Sequence, residues 1–334
     1  MKVLYWSIPN NLPANMVSDY QADMLFHGMR KLLGADCVDS YRFWWMYAKD
    51  KGDNFEEIWG KGFTMYGLLD EVEVDRTEQN FDKIIIPIHH SVAQYPTAVI
   101  DTLNKILKKA EGKQIAIVDG WDRDYINPDL LDLCRRSGVK YFKRELYQDI
   151  DGVWPINFAF PKEKIWDGCM TLEGRQTYDI APLVPVNQSI DSSYMSTYIY
   201  DNEKDYYQMY RDSKFALTSK KGGWDTLRHY EILANRCVPL FVDINSCPKN
   251  CMWNYPKDLC KRALFYPGLH LNLKRGEWVP GMELPHCGVI EKETRGNVVI
   301  DREYHSLQEE FFTYFKENLT TEHLARYVLE TMDD

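Results

Sequence analysis

The apolar positions of this chain follow two periods in alternation. Val3-Leu4-Tyr5-Trp6, Ile84-Ile85-Ile86-Pro87-Ile88, Ile115-Ala116-Ile117-Val118 and Val139-Lys140-Tyr141-Phe142 are runs of strand length. Continuous runs of this kind predict strands buried on both faces. Between them, helical spacing predicts helices over Met16 to Leu33, closed by Gly34, over about Pro96 to Ala110 and over about Pro128 to Ser137. Strands alternating with helices predict a parallel sheet and an α/β class, the arrangement of a Rossmann-like domain. Phe43 to Asn80 shows neither period. Rich in glycine and aromatics, it reads as an irregular cap or acceptor-binding segment.

The alternation resumes in the second half. Asp179 to Val184 reads as a strand, Phe215-Ala216-Leu217-Thr218 as another and Val238-Pro239-Leu240-Phe241-Val242 as a third. Gly222-Gly223 punctuates the chain after Thr218, and Asp225-Thr226 offers a helix N-cap before a helix ending near Asn235. Ser306 to Met332 reads as two helices. The stretch from Ile150 to Ser193 carries Pro155, Pro161, Pro182 and Pro185, which suits a crossing between domains near residue 165. The expected division is therefore 1–165, 166–310 and a terminal helix at 311–334.

The most informative stretch is Tyr210 to Asp243, which reads strand, glycine turn, helix, strand. Such a unit presents backbone N–H groups at a helix N-terminus, where a phosphate can dock. Arg228 and Glu231 lie three residues apart and share one helix face. In isolation that spacing describes a surface ion pair worth only a few tenths of a kcal/mol. Beside the glycine turn it outlines a nucleotide-sugar pocket, with a cation for phosphate and an acceptor for sugar hydroxyls.

Ser213-Lys214-Phe215, Gly223-Trp224-Asp225-Thr226, Arg228, Glu231 and Cys237-Val238-Pro239 together resemble the nucleotide-sugar motif of exostosin-like glycosyltransferases. Two positions depart from that pattern. Arg236 stands where the family usually has glycine, and Lys220-Lys221 replaces a more usual proline-arginine approach. The resemblance implies a GT-B fold, two Rossmann-like domains facing across a cleft, with a terminal helix that returns to the first domain. It also implies inverting transfer of a sugar from a UDP- or GDP-linked donor to a glycan or other hydroxyl acceptor.

Roles in the expected donor site follow from chemistry. Thr218, Lys220, Lys221, Gly222 and Gly223 would approach the diphosphate, because glycine lets backbone N–H groups face it. Arg228 would neutralise charge building on the leaving diphosphate. Glu231 would accept hydrogen bonds from a diol, ribose being the first choice. Asp225 and Thr226 would cap the helix and touch the sugar.

Ligands of open α/β sheets collect beyond the carboxyl ends of the strands. That rule nominates His89, His90, Asp119 and Asp122 as bases for the acceptor hydroxyl. A histidine pair there equally serves to cap a helix or bond a carbonyl. Lys143 and Arg144 at the next strand end read as an exposed basic pair, with assistance to a leaving diphosphate as the alternative. Asp122-Arg123-Asp124 and Asp149-Ile150-Asp151 spell D-x-D, a spacing too common in an acidic chain to require a divalent cation. Arginine and a helix dipole suffice for the leaving group, so neither metal nor further cofactor is expected.

Composition narrows the classes. At 334 residues and 45% apolar, the chain suits two domains with two cores. Its net charge of −10 argues against a nucleic-acid partner. The 10 Trp and 22 Tyr suit carbohydrate stacking. Met1 to Pro9 is too short an apolar run for a signal peptide, and no run reaches membrane-span length, so a cytoplasmic protein is expected. Cys237, Cys247, Cys251, Cys260 and Cys287, with His270 and His286, fit no compact zinc spacing; reduced, buried thiols are the simpler reading. No G-x-G-x-x-G follows the first strand and no G-x-S-x-G appears, which disfavours a dehydrogenase and a hydrolase. A non-catalytic nucleotide-sugar or carbohydrate-binding protein of the same fold is the alternative to a transferase.

Overall fold

The computed structural model describes residues 1–6, 18–52, 58–75, 80–88, 96–110, 112–168, 178–181, 200–267, 273–275, 288–290 and 302–334. The first elements are β1 (Val3–Tyr5), α1 (Tyr20–Leu33), β2 (Cys37–Asp39), β3 (Lys83–Ile88) and α2 (Pro96–Leu107). After them come β4 (Gln114–Asp119), α3 (Pro128–Ser137), β5 (Lys140–Lys143) and β6 (Val153–Pro155). The chain continues through β7 (Tyr178–Ile180), α4 (Glu203–Arg211), β8 (Ser213–Thr218), α5 (Leu227–Ala234) and β9 (Val238–Phe241). Last are α6 (Lys257–Leu264), β10 (Leu273–Arg275), β11 (Gly288–Ile290), α7 (Arg302–Asn318) and α8 (Thr321–Asp333). These elements form two compact units. One holds Met1–Pro161, Pro248–Trp253 and Thr320–Asp334; the other holds Lys162–Cys247 and Asn254–Leu319.

The first unit is built on a six-stranded parallel sheet in the order β2-β1-β3-β4-β5-β6. Every residue of β3 is buried, as its unbroken apolar run requires. Ile84, Ile86 and Ile88 meet Val99, Leu103 and Ile106 of α2, and Leu130 and Cys134 of α3, in one core. Helix starts and stops follow local chemistry. The Asp19 carboxylate accepts from Gln21 N and Ala22 N at 3.0 and 3.2 Å and opens α1. Asn127 caps α3 through Leu130 N at 3.0 Å, with Pro128 in the first turn.

Two strands escape a reading based on apolar runs. β2 and β6 have three residues each, and neither reads as a strand in the sequence. The segment from Phe43 onward is irregular, yet four of its aromatic residues are core. Phe43, Trp45, Tyr47 and Tyr66 are buried. Phe43 meets Phe26 of α1 edge to face at 4.9 Å and Tyr5 of β1 at 5.9 Å.

α8 packs on α1 within this unit. His27 Nδ1 lies 2.8 Å from Thr321 Oγ1. The close approach depends on Gly28, where a Cβ would stand 1.9 Å from the Thr321 carbonyl oxygen.

The second unit carries a three-stranded parallel sheet, β7-β8-β9, and the antiparallel pair β10-β11. Helix α4 buries Tyr206, Tyr207, Met209 and Tyr210. α5 ends in a Schellman closure: Arg236 N donates to Leu233 O at 3.0 Å and Cys237 N to Ile232 O at 3.1 Å. That closure needs a left-handed residue, and Arg236 takes it with φ +56°. Here the guanidinium is held by Glu309 and stacks 3.7 Å over the Phe312 ring.

Among the described residues, no helix is long and apolar enough to cross a membrane, no disulfide joins the cysteines, and no cluster of three or more potential ligands is placed to hold a metal. Burial pushes the thiols of Cys37, Cys237 and Cys260 up, so they are protonated at neutral pH. His270, His286 and Cys287 lie outside the described residues.

At an open helix position Gly→Ala gains about 1 kcal/mol of helix propensity. Gly28→Ala should instead destabilise by about 1–3 kcal/mol, because the new methyl forces α8 away from α1. Denaturant unfolding measures it, and a stabilised variant would mean that the two helices do not pack this closely.

Candidate functional site

Strand β8 delivers the chain to the glycine turn. Phe215, Ala216 and Leu217 are buried, and β8 pairs with β9 from Phe215↔Val238 to Thr218↔Phe241. Beyond Thr218 the backbone leaves the sheet. Lys221 N donates to Gly223 O at 3.0 Å, tightening the turn. Lys220 N donates to both carboxylate oxygens of Asp243, at 3.3 and 3.2 Å. This backbone group, expected to face a diphosphate, is therefore engaged by Asp243, two residues beyond β9. The Lys220 ammonium lies 5.5 Å from the centre of the Trp224 ring.

His229 fixes the turn to the strand and the helix. It is fully buried on α5. Its Nε2 lies 2.9 Å from Trp224 O, and a carbonyl only accepts, so Nε2 carries the proton. Nδ1 is then the acceptor, and it receives the Thr218 hydroxyl at 2.8 Å. Thr226 Oγ1 stands 3.2 Å from Nε2. A neutral imidazole satisfies this set and a charged one does not. Burial, helped by the positive charges of Arg228 and Lys221, pushes His229 down to about 3.

The helix start differs in detail from the expected cap. Thr226 has the extended backbone of an N-cap, with φ −130° and ψ 144°, but its side chain makes no capping bond. Asp225 is buried and accepts the Tyr230 hydroxyl at 2.9 Å. Both residues brace the helix start from its flank.

Arg228 and Glu231 share one face of α5, 4% and 5% exposed. Burial at this level separates them from a surface ion pair. Glu231 Oε2 accepts the Tyr206 hydroxyl at 2.6 Å, and the Tyr210 hydroxyl lies 3.2 Å from that of Tyr206. Burial and the Glu231 charge hold Tyr206 well above the ordinary phenol range, with Arg228 opposing. The Lys221 ammonium is pushed down to about 7, first by desolvation and then by Arg228, against Glu231. Lys221 also keeps part of its surface in water. Two cations, a carboxylate and two phenols thus interact over the start of α5.

The candidate bases of the first unit are differently disposed. Asp119, 3% exposed, accepts from Trp121 N at 2.9 Å and from the Tyr141 hydroxyl at 2.8 Å, and pairs with Lys143 Nζ at 3.0 Å. Three donors occupy it. Asp122 is exposed and pairs with Arg144. Lys143 and Arg144 correct the expectation of an exposed basic pair, for both are buried. Arg144 donates twice to Gly120 O, at 3.0 and 2.9 Å, bonds Glu145 at 3.2 Å and lies 4.4 Å from the Phe158 ring centre. These cations are spent on the bend after β4. His89 and His90 lie outside the described residues.

Sequence spacing missed Tyr206, His229 and Asp243. His229 had a local signal, since it follows Arg228 directly and points to the strand side of α5. Tyr206 lies on the preceding helix, and only the fold brings it to Glu231.

The His229 geometry sets a pH dependence. Between 6.5 and about 3 the unfolded chain binds a proton that the folded imidazole refuses. Stability is therefore lost as pH drops through that window, by up to ~1.4 kcal/mol per unit. His229→Gln should be less stable at pH 7 but lack that part of the acid slope in denaturant unfolding. An unchanged slope would show that the imidazole is not held neutral. Compared with known protein families, with curated proteins and with solved structures, the chain finds no match.

Proposed function

We propose that the β8–α5 turn binds the nucleoside diphosphate of a sugar donor, and that the protein is a glycosyltransferase of the GT-B, exostosin-like kind. The observation that carries this reading is the pair Arg228 and Glu231. Opposite charges three residues apart are buried just beyond a glycine turn, inside an ordered motif. Burying such charges is costly and adds little stability, so a binding role accounts for them better than a structural one.

In this reading the diphosphate lies against the turn and the N-terminus of α5. Arg228 and Lys221 supply positive charge, and Glu231 accepts from the ribose diol. The acceptor hydroxyl oxygen bonds to the anomeric carbon as the bond to the diphosphate oxygen breaks. The nucleoside diphosphate leaves with the electron pair, Arg228 offsets its charge, and a base takes the hydroxyl proton. The second unit serves the donor, UDP- or GDP-linked, and the first serves a glycan or other hydroxyl acceptor, without a metal.

One observation favours a second reading, a nucleotide-sugar-binding protein without turnover. Asp119 is saturated by three donors and Asp122 is paired with Arg144, so neither is poised as a base. Measuring release of free sugar from the donor separates the two readings.

Thermal unfolding in a panel of nucleoside diphosphates and their sugars tests the shared claim. A ligand at a hundred times its Kd should add ~2.7 kcal/mol to the wild-type protein. Arg228→Ala and Glu231→Ala should each weaken binding at least about tenfold, a loss of ~1.4 kcal/mol in affinity. The comparison uses the ligand-induced shift, because removing a buried charge also lowers the starting stability. No shift with any nucleotide at millimolar concentration would overturn the reading.

A further inference from the structure

We infer that Tyr206 is the positioning residue for Glu231, and that its hydroxyl sets how strongly the site prefers a ribose over a 2′-deoxyribose nucleotide. The inference rests on the nucleotide reading of the β8–α5 turn. It adds a residue from a different helix, outside the motif.

A glutamate side chain turns about three bonds, and a carboxylate can grip a diol only when its plane is fixed. On α5, Glu231 has no covalent constraint of that kind. α4 supplies one. Tyr206 donates to Glu231 Oε2 at 2.6 Å, the short length of a hydrogen bond to a charged acceptor. Tyr206 is itself held: its hydroxyl lies 3.2 Å from that of Tyr210, one turn along α4. Its ring meets Tyr210 edge to face at 5.2 Å and packs against Tyr200 and Tyr207, each at 5.7 Å. A phenol so packed cannot follow a moving carboxylate, so the carboxylate must stay with the phenol.

The phenol also keeps its proton. Burial and the adjacent Glu231 charge raise Tyr206 well above its ordinary range, so it donates throughout the neutral range. A carboxylate offers about four lone-pair directions. Tyr206 takes one and thereby aims the others. Loss of its hydroxyl would leave the negative charge in place and remove its orientation. Attraction for the diphosphate would persist through Arg228, while bonding to the 2′-hydroxyl would weaken.

Calorimetric titration of ribo- and 2′-deoxyribonucleoside diphosphates into wild type, Tyr206→Phe and Tyr210→Phe tests this. The wild type should prefer the ribonucleotide by about tenfold or more, as a site built to bond a hydroxyl rejects its absence. Tyr206→Phe should hold the deoxynucleotide within about twofold of wild type and reduce the preference to under about threefold. Tyr210→Phe should lower the preference in the same direction by less. An unchanged preference in Tyr206→Phe, or an equal loss for both nucleotides, would overturn the inference. If Tyr206→Phe does not fold, Tyr210→Phe decides, and an undiminished preference there overturns it. A wild type that binds no nucleotide would overturn the underlying reading too. A wild type that binds both sugars equally would overturn only the role of Glu231 and Tyr206.

Discussion

A buried imidazole has one donor and one acceptor to satisfy, and His229 satisfies them from opposite ends of the same turn. Trp224 O accepts a hydrogen bond from its Nε2–H, and the Thr218 hydroxyl donates to its Nδ1 lone pair. The last residue of β8, the middle of the turn and the first turn of α5 are thereby tied to one rigid ring. Phe241 of β9 stacks on that ring at 4.4 Å, and the Tyr255 hydroxyl bonds the His229 carbonyl at 3.2 Å. Because the ring must stay neutral, the tie is permanent at physiological pH. The direction in which Arg228 and Glu231 leave α5 depends on it.

Buried charge is distributed differently in the two units. In the first, Lys143 and Arg144 are consumed by Asp119, Gly120, Asp122 and Glu145, and they stiffen the bend that follows β4. Such cations organise backbone carbonyls and have little left for a ligand. In the second, Lys221, Arg228 and Glu231 interact across the start of one helix, and desolvation, with Arg228 adding to it, depresses the Lys221 ammonium. Two cations that repel one another favour the arrival of an anion, since it relieves both. On the proposed reading, this contrast favours α5 over the bend after β4 as the element that meets an anion.

Much of the framework was legible in the sequence because its signals are local. β3 reads as a strand since six consecutive buried positions demand apolar or aliphatic-stemmed residues. Gly34 announces the end of α1, because its backbone freedom acts within a turn. β2 and β6 were silent, because their pairing is decided by neighbours far away in the chain. α4 was silent for another reason. Its core face is made of tyrosines, which pattern reading counts as readily for surface or stacking roles.

The site divides in the same way. Arg228 and Glu231 were visible as a helical pair beside a glycine turn, but their burial was not, since it is conferred by α4 and the rest of the second unit. Lys143 and Arg144 looked like exposed cations because the carbonyls and carboxylates that bury them come from the preceding strand end. Asp119 looked like a base because the sequence could not count the three donors that converge on it.

Hydrogen–deuterium exchange with and without saturating nucleoside diphosphate tests the central claim most directly. The account predicts that protection on binding concentrates between Thr218 and Glu231, at the turn and the first turn of α5. Protection confined to other segments, or none in any nucleotide, would contradict it.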